Sequence, residues 1–287
     1  MMEKKTEKKN YYQVKHSERF KTYFRFSLIA MCFVLVFTLF QACQRAKGGG
    51  LDPDDVELIQ YQLPKDDAPV VVFETSEGSF TAVLYPDEAP KFCKYFEGLV
   101  NDGYYDGTYV FAVQEGVYFM GGAKASDGSD TDATEKTQLE PEIHKNLWPF
   151  KGSLISYGDK GGSVFDRKIM SGSRILFVDT VEFTKDFVKE LDSAGGNSDL
   201  VEAFKKKGGI PNFSQMYTVF GQVYDGFEAY DAICGREVTD SESLRPKQTI
   251  TIERAYMSTY GEHKNDSFFD PKSDTLTSAD KTVTDGE

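Results

Sequence analysis

Histidine is scarce in this chain, and the three present, His16, His144 and His263, are scattered. No cysteine–histidine spacing joins them into a metal-ligand set, so no metal and no other cofactor is expected. Cysteine is scarce too. Of four, Cys32 lies in an apolar run, Cys43 follows that run, and only Cys93 and Cys234 fall in the part that reads as folded. Each of these two sits in a helical pattern beside apolar residues, where a free thiol behaves as a small hydrophobe. No apolar run is long. Phe26 to Phe40 carries no charge but has only 15 residues, short of the about 20 that a spanning helix needs. Basic side chains thin out after residue 42. The first 42 residues hold eight of the 33 Lys and Arg but three of the 46 Asp and Glu, leaving 25 against 43, a net of −18. That excess argues against nucleic acid, whose phosphates would be repelled, and against docking flat on anionic lipid. It favours solubility and basic or neutral partner chains, or is a solvated surface with no partner meaning.

The N-terminus has the order of a targeting segment. Eight basic residues lie before Phe26, the apolar run follows, and Gln41-Ala42-Cys43 closes it. A small residue before cysteine at that place resembles a bacterial lipoprotein cleavage site, with Cys43 as the lipidated residue, although Phe40 stands where leucine is usual. The other reading is an uncleaved signal anchor with its basic end in the cytoplasm. Both tether the rest of the chain outside the cytoplasmic membrane. The expected organisation is a signal peptide or anchor over 1–42, a flexible tether over 43–68, a folded domain over 69–258 and a disordered polar tail over 259–287. The tether and tail are rich in Gly, Asp, Ser, Thr and Lys, too polar to fold alone.

Between them, 40% hydrophobic and 14% aromatic residues suffice for one packed core. Short segments alternate with period two, as in Phe80-Thr81-Ala82-Val83-Leu84 and Thr249-Ile250-Thr251-Ile252, with Gly- and Asp-containing turns between them. A helix is predicted from Pro90, with Phe92, Phe96, Leu99 and Val100 on one face and Gly103 beyond its end. A second follows Asp225-Gly226, with Phe227, Tyr230 and Ile233 on one face and Gly235 as its stop. Thr184–Leu191 and Asp199–Lys207 read as two further short helices, the latter with Asp199 and Glu202 at capping-box spacing and Gly208 as its stop. Periodicity gives a mainly β chain with a helical insertion around 180–210, either a packing elaboration or a flap beside a substrate groove.

Thr108 to Ala123 reads TYVFAVQEGVYFMGGA, which resembles a strand of the cyclophilin family of peptidyl-prolyl isomerases, usually close to TIFHRVIPGFMIQGGD. The two align without a gap through Thr108, Val113, Gly116 and Gly121-Gly122. Other segments carry the resemblance further. Leu84 to Pro90 is similar to LYPDKAP, Gly103 to Thr108 to GYYDGT, and Ser171-Gly172-Ser173-Arg174 to SGSQ. Tyr217 to Val223 with Asp225-Gly226 resembles TVFGKVxxG, and Gly208-Gly209-Ile210-Pro211 matches an insertion seen in some bacterial members. The match runs from about Pro69 to Met257. It implies a closed antiparallel β-barrel capped by two α-helices, with Cys93 and Cys234 on helices at opposite ends and hence unpaired. It also implies protein-folding activity on proline-containing extended segments of exported proteins.

The resemblance fails at the residue that carries the chemistry. Rotation about an amide has a barrier of roughly 18–20 kcal/mol. The family lowers it for X-Pro with an arginine that donates to the prolyl nitrogen as its lone pair localises, a charge that develops only in the transition state. Here that position is Ala112, the family's histidine falls on Phe111, and its glutamine on Met120. The other groove positions carry over onto Val117, Tyr118, Tyr157, Gly158, Arg174, Leu176, Phe213 and Tyr217. Val117 and Leu176 replace phenylalanines of the proline pocket, Tyr157 replaces a small alanine and would narrow the groove, and Asn212 replaces a tryptophan. The set keeps apolar surface and drops hydrogen bonding. Arg174, in place of the glutamine of SGSQ, is either a substitute donor or an ordinary surface or salt-bridged arginine. Two functions follow: an isomerase with weak or lost catalysis, or an inactive module that holds peptide or protein segments.

Overall fold

The computed structural model describes residues 56–129, 139–161, 168–193 and 197–270. β1 (Pro69–Thr75) and β2 (Gly78–Leu84) form a hairpin, with Gly78 at φ 117° in its turn. α1 (Pro90–Asn101) follows, then β3 (Thr108–Gln114), β4 (Tyr118–Ala123), β5 (Ser153–Gly161) and β6 (Lys168–Val178). After the insertion come β7 (Val219–Asp225), a helix over Phe227–Cys234, and β8 (Ile250–Thr259). The strands pair antiparallel in the order β1-β2-β7-β5-β6-β4-β3-β8, and β8 returns to β1 to close the barrel. Closure pairs each strand on both sides within the body of the barrel, and β5 and β6 run on past it as a two-stranded hairpin, Gly158–Gly161 against Lys168–Ser171.

Alternation along the strands sends one set of side chains into the barrel. Phe73, Phe80, Phe119 and Phe177 meet there with Tyr230, and the Phe119 and Phe177 rings stack at 4.5 Å. Each such ring removed from water contributes roughly 1.5–3 kcal/mol. The Tyr230 hydroxyl donates to the Val178 carbonyl at 2.6 Å, which satisfies the one polar atom brought into this cluster by that side chain. α1 turns Phe92, Cys93, Phe96 and Val100 inward. Its first-turn N–H groups of Lys91 and Phe92 donate to the Glu142 carboxylate at 3.2 and 2.8 Å, placing an anion at the positive end of the helix. Cys93 and Cys234 are buried free thiols, and burial pushes the Cys93 thiol up to about 12.

The insertion forms α2 (Lys185–Ser193) and α3 (Ser198–Lys207), within a residue or two of expectation. The cap differs. α3 begins one residue earlier than predicted, and Asn197, not Asp199, accepts the N–H groups of Asp199 and Leu200. Glu202 is thereby released to pair with Lys205 at 2.8 Å. The helices pack around Phe204, whose ring lies 4.5 Å from that of Phe150, in a cluster with Trp148, Phe183 and Ala203. At the two ends of the insertion, Val181 and Ile210 pack instead in the cluster that holds Ala112, Met120 and Leu176. α4 is the name used below for Phe227–Cys234.

The expected domain limits of 69–258 are too tight at both ends. Residues 56–61, read as tether, turn through a 3₁₀ helix (Ile59–Tyr61) that buries Gln60 completely. The two Gln60 amide hydrogens are shared among the Trp148 carbonyl, Ser153 Oγ and Gln222 Oε1, each 2.9–3.0 Å from Nε2, and the amide oxygen accepts from Trp148 N–H at 2.7 Å. Beyond 258, Tyr260, Phe268 and Phe269, the last two on α5 (Asp266–Phe269), are buried against Val70, Val83 and Tyr224. That cover explains why Val83, on the outer side of β2, is as buried as Phe80 on the inner side. Polar flanking residues hid both straps in the sequence. The apolar run 26–40 and Cys43 lie outside the described residues, and no described helix is long and apolar enough to cross a membrane.

Candidate functional site

A bulge in β3 creates the site. Val110 pairs with Gly121 and Ala112 with Met120, so Phe111 is an extra residue opposite the β4 backbone. An extra residue breaks the alternation. Val110 and Val113 therefore point into the barrel while Phe111 and Ala112 both lie in the cluster on its outer face. The register then carries one row across five strands. Ala112 pairs with Met120, Met120 with Leu176, Leu176 with Ile155, and Ile155 with Val219. Every member is apolar and buried.

Val117, Tyr118, Tyr157, Phe213 and Tyr217 surround this row as half-buried neighbours in the same cluster. The Phe213 and Tyr217 rings meet edge to face at 5.4 Å. Burial raises the phenol pKa of Tyr118 and of Tyr217, and for Tyr118 the nearby Tyr217 adds to the rise. Both are neutral at physiological pH and present a ring with one hydroxyl. Asn212 sits half-buried on the 3₁₀ turn Pro211–Phe213. Gly158 contributes backbone only, paired with Ser171 beyond an irregularity that follows Ser156. The structure thus gathers Phe111, Ala112, Val117, Tyr118, Met120, Tyr157, Leu176, Phe213 and Tyr217 in one place.

Arg174 stands at the edge of this surface. Its guanidinium lies over the Phe111 ring at 5.1 Å, and Nη2 donates to the Gly128 carbonyl at 2.6 Å. Gly128 is itself tight against Phe111, where a Cβ would come within 2.5 Å of the ring. So the arginine clamps the loop after β4 onto the side chain at the family's histidine position. Below Met120, Gly122 at φ 93° lets β4 approach Ser173, where a Cβ would meet the Ser173 carbonyl at 3.0 Å. Tyr105 Oη donates to that carbonyl at 2.7 Å, and Tyr104 Oη donates to the Gly122 carbonyl at 3.2 Å. These bonds fix β4 against β6 under the row.

One charged group lies behind the turn that delivers Val117. Asp179 donates its N–H to the Val117 carbonyl at 2.8 Å. Burial raises the Asp179 carboxyl pKa, and Lys151, buried and 3.8 Å away, opposes that rise. Lys151 also pairs with Asp231 at 2.8 Å. Its charge is therefore matched away from the row.

Sequence reasoning missed Leu244. Its side chain packs against the same cluster, and its carbonyl accepts the Val113 N–H at 2.8 Å. The one sequence signal was a lone leucine in the polar run Asp240-Ser241-Glu242-Ser243-Leu244-Arg245. Ile155 and Val219 were missed because their places depend on register, not on motif.

A closed eight-stranded antiparallel barrel with helices packed on it, carrying an outer-face row at a β3 bulge, defines a cyclophilin-type barrel. The family described as cyclophilin type peptidyl-prolyl cis-trans isomerase matches residues 70–257, and the chain belongs to it. A Streptococcus pyogenes relative whose name joins a phosphatase to a peptidyl-prolyl cis-trans isomerase is 29% identical over 208 residues, covering 71% of this chain and 42% of that protein. The chain thus spans less than half of that relative. A Staphylococcus aureus protein named for peptidyl-prolyl cis-trans isomerase activity is 28% identical over 183 residues, covering 64% of this chain and 88% of its own. Among solved structures, a cyclophilin type peptidyl-prolyl cis-trans isomerase from Cryptosporidium parvum matches with a TM-score of 0.50 at 20% identity, over 67% of this chain and 98% of that one. That likeness concerns the fold.

Proposed function

We propose that this barrel holds extended, proline-containing segments of exported proteins with prolyl-isomerase catalysis strongly reduced or lost. The observation that carries this reading is the row Ala112–Met120–Leu176–Ile155–Val219, which offers burial and no donor. An apolar groove rimmed by neutral tyrosines suits a proline ring or another small apolar group. Catalysis asks for more, namely a donor placed where the imide nitrogen gathers charge. Ala112 has none, and the nearest guanidinium is engaged by Gly128 and Phe111.

The test is a proline-isomerisation assay on the full-length chain in detergent, beside Ala112→Arg and Arg174→Ala. The expected result is no acceleration by the unmodified chain, with binding of an Ala-Ala-Pro-Phe peptide retained. By analogy with a single oxyanion-hole donor, the missing arginine accounts for a loss of about 10²–10³-fold. A second reading has a specific support: Arg174 stands within 5.1 Å of the ring at the position next to Ala112. Measurable acceleration that disappears in Arg174→Ala would replace the first reading with that one.

The same proposal places the barrel outside the cytoplasmic membrane, tethered through the N-terminus. Its support is the basic segment before Phe26, the uncharged run to Phe40 and Cys43 after it. Intact-mass analysis of the membrane-fraction protein separates lipidation at Cys43 from an uncleaved anchor.

A further inference from the structure

Among the described residues, only two that are not glycine have a positive φ, Gln215 at 61° and Leu244 at 55°. Side chains of this size are uncommon in the left-handed region, and such outliers gather at ligand clamps. Both fall in loops that border the same apolar row. Leu244 packs on the row directly, and Gln215 lies between the groove residues Phe213 and Tyr217.

The two loops differ in how firmly they are held. The Leu244 loop is tied down at every level. Asp240 Oδ1 accepts the N–H groups of Glu242 and Ser243 at 2.9 and 2.7 Å. The Leu244 N–H donates to the Asp240 carbonyl, and Thr239 N–H to the Arg245 carbonyl. Among the described residues, the backbone bonds within the Gln215 loop are of 3₁₀ type, from Phe213 to Ile210, Ser214 to Pro211 and Met216 to Phe213. It also carries a defect, because Gln215 Nε2 is buried and meets no acceptor among the described residues. A buried donor left unmade is costly. Met216, beside it, is among the few large apolar side chains left exposed.

We propose that these loops are a clamp over the apolar row, with Thr239–Arg245 as the fixed jaw and Pro211–Tyr217 as the jaw that opens to admit an extended peptide. In the closed state the moving jaw stores an unfavourable backbone and an unpaired amide donor. Opening releases the Gln215 backbone and brings its Nε2–H to a carbonyl of the entering peptide, while Phe213 and Tyr217 close on an apolar side chain. The ligand is an extended chain, whose main-chain carbonyl meets the freed donor while its neighbouring side chain lies between Phe213 and Tyr217. This rests on the peptide-holding function proposed above and adds its gate.

Amide hydrogen exchange on the full-length chain in detergent tests the gate without any ligand. Exchange at Phe213, Ser214 and Met216 is expected to run at least about 100-fold faster than at Val219 to Tyr224 in β7. Gln215→Gly, which removes both the strain and the orphan donor, is expected to slow it about tenfold, the order set by the cost of a left-handed L-residue. Gln215→Met, which removes only the orphan donor, is expected to slow it less. Loop amides as protected as β7, or exchange unmoved by Gln215→Gly, would overturn the clamp. With the Ala-Ala-Pro-Phe peptide as probe, Gln215→Gly is expected to bind several-fold more weakly, since the closed state is no longer penalised. Unchanged affinity with slowed exchange would also overturn it, because the gate would not be coupled to binding. A wild-type chain that binds no peptide sinks the peptide-holding function, and the exchange result still decides the jaw.

Discussion

At the scale of single residues, the site was legible where a gapless motif fixed the position and illegible where backbone geometry did. Phe111, Ala112 and Met120 could be placed from Thr108–Ala123 alone, because that strand aligns end to end. The bulge that turns Phe111 and Ala112 to one face left no mark in composition. Leu244 and Gln215 adopt a left-handed backbone, which no periodicity reports. Gln60 misled for a different reason. It lies in an acidic, polar stretch, yet its amide nitrogen reaches three buried acceptors and its oxygen accepts one N–H inside the protein. Gln60→Ala leaves the Trp148 N–H without that acceptor and removes a donor from Gln222 Oε1. Each buried group left unmade costs about 1–3 kcal/mol. Gln222 Oε1 keeps the Ser153 hydroxyl at 3.1 Å, so urea unfolding of Gln60→Ala is expected to show a loss of about 1–3 kcal/mol at an unchanged slope. A loss below about 0.5 kcal/mol, the scale of an ordinary surface substitution, would mean that the segment is loosely held after all.

Elements were read better than residues, because a helix repeats its signal over several turns. α1 and α4 fall where the spacing of their apolar residues puts them, and they end two residues and one residue before the predicted glycines Gly103 and Gly235. Caps are single-residue features, and the α3 cap was misassigned by two positions. The Asp240 loop shows how little sequence such a device needs. Its carboxylate is held down to about 2, first by the Ser243 N–H, then by the Ser243 hydroxyl and the Glu242 N–H. A depressed folded value means that the folded loop favours the charged carboxylate. Its support is in full force above the ordinary value of 3.8 and is lost as pH falls from there through about 2. Carbon-detected titration of the Asp240 carboxyl should give a midpoint near 2. Over the same interval the Ser243 and Leu244 amides should lose protection. A midpoint near 3.8 would show that the bonds to Ser243 and Glu242 do not persist in solution.

The whole molecule differs from its sequence reading mainly in where folding begins. With Gln60 anchored, the folded body starts by Val56, not at residue 69. The segment between Cys43 and that point, Gln44–Asp55, is 12 residues instead of the 25 of Gln44–Ala68. A fully extended chain spans at most about 3.3–3.6 Å per residue, so the reach falls from about 90 Å to about 40 Å. A lipid on Cys43 would then hold the barrel close to the membrane surface, where exported chains emerge before they fold. Clients met there would be extended, the form that the proposed peptide-holding function and its gate call for. The expected product is a chain that begins at Cys43 and carries acyl mass, recovered in the membrane fraction and open to added protease in cells stripped of their wall. Cys43→Ser should carry no acyl mass. An unmodified chain of all 287 residues in the membrane would favour the uncleaved anchor. A barrel shielded from protease would instead place it in the cytoplasm, and the proposal for exported clients would fail.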